Sequence, residues 1–167
     1  MKRPICLAAI ILLVLLIAYP AQAFTADSLA ISVKDNGDAS VTFDYTLTWM
    51  ENLAVFMRVA DPATELRNAL ESNFKKPVTI LGVSDREAQF VVRDFAQVSR
   101  ADSATTWKTP GLSFAAADNV LKQYWFAPLV NPDFSPAVTE FTFPDRYKAE
   151  FENKLEIGPI IHTESED

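Results

Sequence analysis

The stretch Val33-Lys34-Asp35-Asn36-Gly37-Asp38-Ala39-Ser40-Val41 packs acids, an amide and a glycine between two runs of alternating apolar residues. Before it stand Leu29, Ile31 and Val33, and after it Val41, Phe43, Tyr45 and Leu47. Alternation at period two is the signature of half-buried strands. Both apolar sets fall on odd numbers, and that parity fixes the turn. A two-residue loop at Asn36-Gly37 would pair odd with even positions and put the apolar sets on opposite faces of the hairpin. A three-residue loop of Asp35, Asn36 and Gly37 pairs Val33 with Ala39 and Ile31 with Val41, joining the apolar sets on one face. It places Gly37 where a type I turn followed by a bulge requires positive φ.

The same stretch is the first place to look for a cation. A calcium loop sets oxygen ligands at alternate positions, with glycine at the sixth. Counted from Asp35, the next alternates are Gly37 and Ala39; counted from Lys34, a cation occupies the first ligand position. Both frames fail, so the loop reads as a register-setting turn.

A second hairpin is spelled near the other end. In Val138-Thr139-Glu140-Phe141-Thr142-Phe143-Pro144-Asp145-Arg146-Tyr147-Lys148-Ala149-Glu150-Phe151 the aromatic positions are again all odd, so the loop is again odd, Pro144-Asp145-Arg146. Arg146 then takes the place that glycine fills in the first hairpin.

Between the hairpins, the spacing predicts a helix over 49–59, capped by Thr48 and Glu51. A second follows from Asp61 and Pro62 with Leu66, Ala69, Leu70 and Phe74 on one face, and a third over 113–125 starts at Ser113. Strands are expected over 78–83, 88–98 and 104–109. The order ββααβββαββ predicts an α+β fold, an antiparallel sheet built from hairpins with helices packed on one face.

The chain begins with Lys2 and Arg3, an apolar run over 5–19, and Pro20 ahead of Ala21-Gln22-Ala23. These are the three parts of an export signal, with cleavage expected after Ala23. The apolar run is shorter than the roughly 20 residues of a spanning helix. The expected organisation is a cleavable signal over 1–23, one α+β domain over 24–153 and a short acidic tail over 154–167. Localisation is then outside the cytoplasmic membrane, with tethering by residues 5–19 if the signal is retained. Cleavage removes Lys2 and Arg3 and no acid, taking the formal net charge of −7 two units lower. Nucleic acid is a poor partner for such a chain, because binding it needs a basic surface. Membrane contact is expected only through an uncleaved signal. Cys6, the single cysteine, leaves with the signal, so thiolate chemistry and disulfides leave with it.

Catalytic groups are scarce. His162 is the only histidine and sits six residues from the end, where a base is poorly held. Zinc and redox-metal sites lack ligands, and no glycine-rich phosphate loop occurs, so no cofactor is expected. Asp44, Asp94, Glu140 and Glu150 lie on otherwise apolar strands, but alternation puts Asp44, Glu140 and Glu150 on polar faces. Tyr124, Trp125, Phe126 and Phe134 surround a proline-rich loop and form a candidate partner or ligand surface. The first or last strand is a further candidate, as an open edge, with Lys148, Glu150 and Glu152 as edge protection. The expected function is a non-catalytic exported module that binds, or serves a structural or accessory role, in the envelope or medium, its partner an envelope protein or ligand. The alternatives are a carboxylate-dependent hydrolase of envelope polymers and, with the signal retained, a membrane-tethered envelope domain.

Overall fold

A computed structural model describes residues 24–47, 64, 67–68, 70–71, 74–84, 86–101, 103–115 and 135–165. Eleven strands run along them. They are β1 (Phe24–Val33), β2 (Ala39–Leu47), β3 (Val78–Val83), β4 (Glu87–Val92), β5 (Gln97–Ala101), β6 (Ala104–Lys108), β7 (Leu112–Ser113), β8 (Val138–Thr142), β9 (Lys148–Glu152), β10 (Glu156–Ile157) and β11 (Ile161–Ser165).

Both hairpins take the register that parity dictates. In the first, Val33 pairs with Ala39 and Ile31 with Val41. Lys34 N–H donates to Asp38 C=O at 2.8 Å, Gly37 N–H to Lys34 C=O at 2.9 Å, and Gly37 has φ +88°. In the second, Phe141 pairs with Ala149, Phe143 N–H donates to Tyr147 C=O at 2.9 Å, and Arg146 stands at φ 70°.

The fold class differs from the α+β expectation, because strands dominate the described residues. Helical backbone is confined there to residues 64, 67, 68, 70, 71, 74 and 115. Of the second expected helix, Leu70 and Phe74 do pack against the core. The helix expected over 49–59 lies outside the described residues, and so does most of that expected over 113–125. Ser113, expected to cap the latter, instead closes β7.

The main sheet has six strands in the order β3-β4-β2-β1-β8-β9. It is mixed rather than antiparallel throughout, since β1 pairs with β8 in parallel, Leu29 opposite Thr139 and Ile31 opposite Phe141. The first strand is therefore central, buried between its own hairpin partner and the second hairpin, and not an open edge. Two smaller sheets complete the fold, β11-β6-β5 and β10-β7. Their Trp107, Leu112 and Ile157 join Ile31, Val41, Phe90, Val92 and Phe141 of the main sheet in one core. Sheets facing each other through alternating apolar positions need no helical layer to bury that face.

The acidic tail expected over 154–167 is built into these sheets instead. Ile157 of β10 pairs with Leu112, and β11 pairs with β6 from Ile161 opposite Lys108 to Ser165 opposite Ala104. Strand 88–98 is also two strands, because the chain turns at Arg93-Asp94, where Asp94 has φ 50°.

Candidate functional site

Tyr124, Trp125, Phe126 and Phe134, and the export signal over 1–23, lie outside the described residues. The remaining candidates can be placed.

The acids sit on the outer, polar face of the main sheet as alternation requires, and most are already engaged. Asp44 accepts from Ser28 Oγ at 2.7 Å. Glu140 and Glu150 are direct cross-strand neighbours, yet both oxygens of Glu140 take Lys148 Nζ at 3.0 Å. The hydrogen bond from Lys148 holds the Glu140 carboxyl below its ordinary range, burial opposing it. An acid–base pair for hydrolysis needs one carboxyl pushed up instead.

The opening turn keeps its oxygens for itself. Asp38 Oδ1 accepts from the N–H of Asp94 at 2.9 Å, and Asp38 Oδ2 accepts from Asn36 Nδ2 at 2.9 Å. The Asp94 N–H, then Asn36, hold the Asp38 carboxyl below the usual aspartate range. The loop is thereby bound to the β4–β5 corner, which also sends Ala96 N–H to Gly37 C=O at 2.8 Å. Among the described residues no three His, Cys, Asp or Glu side chains converge as metal ligands.

His162, expected at a poorly held chain end, stands on β11 with its side chain largely covered. It faces Trp107, its cross-strand partner on β6, with ring centroids 6.2 Å apart and planes 16° from parallel. On the other side it stacks on Tyr147 at 4.2 Å and 7°, with the Phe143 ring at 4.9 Å. Nε2 lies 2.7 Å from Asp145 Oδ2, while Asp145 Oδ1 accepts Tyr147 N–H at 3.0 Å. Burial pushes the Asp145 carboxyl up, but the bonds from Tyr147 and His162 outweigh it, and the net shift is downward. The group pins the β8–β9 turn to the small sheet. No nucleophilic hydroxyl stands between His162 and its neighbours in these contacts; the imidazole is held by a carboxylate and three rings.

The two edges of the main sheet differ in chemistry. At one end β9 carries Lys148, Glu150 and Glu152, all exposed, which discourages strand pairing. At the other end β3, Val-Thr-Ile-Leu-Gly-Val, has no charge. Its register slips between Ile80 and Gly82, so Leu81 is an extra, unpaired residue whose side chain is 63% exposed. Pro77 C=O accepts from Arg93 N–H at 3.1 Å, and Ser84 N–H donates to Glu87 C=O at 2.8 Å, so positions 77 and 84 face β4. Alternation then turns the backbone groups of Val78, Ile80 and Val83 toward the free side. There Val78 N–H is met by a side chain, Glu71 Oε1 at 3.0 Å. Beside the edge an open depression of about 490 Å³ is lined by Asp38, Thr79, Val91, Arg93 and Asp94. Sequence reasoning looked for an open edge at the first or last strand and missed β3. The absence of charge across 78–83 was the available signal.

Comparison of the chain with protein-family models, with curated proteins and with solved structures finds no match in any of the three.

Proposed function

We propose that the protein is an exported, non-catalytic β-sandwich module that binds another envelope or secreted protein by strand addition at β3. The observation that carries this reading is the contrast between the edges. An uncharged edge with an exposed bulged leucine is unusual, since sheets that must stay unpaired place charge there, as β9 does. The outward, internally paired acids favour binding over hydrolysis, and the N-terminal sequence supports export.

The test is site-specific photo-crosslinking in the native host, with the crosslinker at Thr79 or Leu81 and, as the control, at Glu150. A discrete adduct of the same partner from 79 and 81, missing from 150, supports the reading. Equal labelling from all three positions, or none, overturns it.

A further inference from the structure

Resting on that reading, the geometry points to the kind of strand that β3 accepts: we infer an extended peptide segment with acidic residues flanking an uncharged centre. Three observations converge on it. The edge itself offers backbone groups and uncharged side chains over Val78–Val83. Its ends are basic in a chain that is acidic as a whole, with Lys75 and Lys76 exposed before it and Arg86 exposed after it. Arg93 lines the depression on the outer face alongside Thr79. None of these four cations forms an ion pair among the described residues, whereas Lys148 at the opposite edge is bound to Glu140. The third observation is Glu71, whose carboxylate already sits on the free edge as acceptor for Val78 N–H. It shows that this position takes a carboxylate, and it occupies the first donor that an incoming strand would use.

An occupant would bond Ile80 and Val83 through its backbone and send alternate side chains toward the depression. Its acids would meet Lys75 and Lys76 at one end and Arg86 at the other. Rim charges of this sort set preference and association rate more than total affinity. The occupant is thus selected by charge pattern, and Glu71 is the internal competitor it displaces.

The probes are two capped heptapeptides, Glu-Thr-Val-Thr-Val-Thr-Glu and the same peptide with lysine at both ends, titrated into the purified protein and followed by amide NMR. The acidic peptide is expected to shift the amides of residues 78–83 and to bind at least about fivefold tighter than the basic one. In the double variant Lys76→Glu, Arg86→Glu, both positions being exposed, the preference should reverse. Equal affinities, an unreversed preference in the folded double variant, or shifts centred on β9 would overturn the inference. Failure of both peptides while crosslinking at 79 and 81 still captures a partner would sink the acidic-strand inference and leave the docking edge standing. Peptide binding at β3 with no crosslinked partner would sink the proposed function instead.

Discussion

Arg146→Gly should make the protein more stable. Arg146 closes the β8–β9 turn at φ 70°, a left-handed conformation that an L side chain adopts at a cost of roughly 1–2 kcal/mol, from the crowding of Cβ against the following carbonyl. Glycine removes that cost and loses little else. The bond that shapes the turn, Arg146 N–H to Phe143 C=O at 2.9 Å, is made by the backbone. The side chain is exposed, and the ring cluster beside it is built by Tyr147, Asp145 and His162. Against this stands the larger conformational freedom of glycine in the unfolded chain, about 0.4–1 kcal/mol. The net gain is therefore on the order of 0.5–1 kcal/mol, or about 1–4 °C in melting temperature for a domain of this size. Urea unfolding should show a higher midpoint with an unchanged slope, since the area exposed does not change. An unchanged or lower midpoint at constant slope would mean that the left-handed residue carries no strain, and the reasoning fails.

The opposite sign is expected at Gly37. A Cβ there would lie 2.4 Å from Ala96 O and 3.0 Å from Val98 Cγ2 at φ +88°, so Gly37→Ala should cost about 2 kcal/mol or more and Gly37→Val at least as much. A melting temperature within a degree or so of the parent would contradict the docking of this turn on the β4–β5 corner. Asp145, held below its ordinary range when folded, contributes stability that is complete above the unfolded aspartate value and disappears as pH falls through the lower folded one. Asp145→Asn should thus be less stable than the parent at about pH 5, with the gap in urea midpoints narrowing at about pH 2.5. A gap of constant size across those conditions would rule out the linkage. Millimolar calcium should leave the melting temperature unchanged, because Asp38 and Asn36 already spend their oxygens on each other and on Asp94; a rise of several degrees would reopen the cation reading of that turn.

What could be read from the sequence was what the pleat enforces locally. Parity cannot be violated without turning an apolar set into water, so the loops at 35–37 and 144–146 followed from counting, including the left-handed residue that ends each. Strand 78–83 was also bounded correctly, by Pro77 before it and the polar turn after it. What failed was decided at long range. The run 88–98 looks continuous, and it breaks because Asp38, 56 residues away, captures the Asp94 N–H and supports the positive φ there. The parallel union of β1 with β8 joins residues more than a hundred positions apart and leaves no trace in either strand's own pattern. Acidic residues at the chain end suggested a solvated tail, yet Thr163 and Glu164 only mark the outer positions of a strand whose His162 turns inward. Of the sites, the turn chemistry was legible and His162 was not, because its neighbours Trp107 and Tyr147 come from separate sheets.

These long-range contacts also explain why one end of the main sheet is finished and the other is not. At the β9 end, the turn is fastened to the small sheet through Asp145, His162 and the rings of Tyr147 and Trp107, and the edge carries charge with Lys148 tied to Glu140. Strand addition there would have to bury or displace charged side chains, each costly to desolvate. At the β3 end, the fixed elements lie behind the edge rather than on it. Tyr45 secures the β3–β4 turn through its hydroxyl, 2.6 Å from Ser84 C=O, and its N–H, 2.9 Å from Arg86 C=O. Val78 is buried and Ile80 half-buried, so the strand is anchored while its outer groups face away. A strand held rigid from behind loses little conformational entropy on pairing, which is what a docking edge requires. The single side chain placed across it, Glu71, makes one hydrogen bond, and an incoming backbone can replace that bond while adding those of Ile80 and Val83.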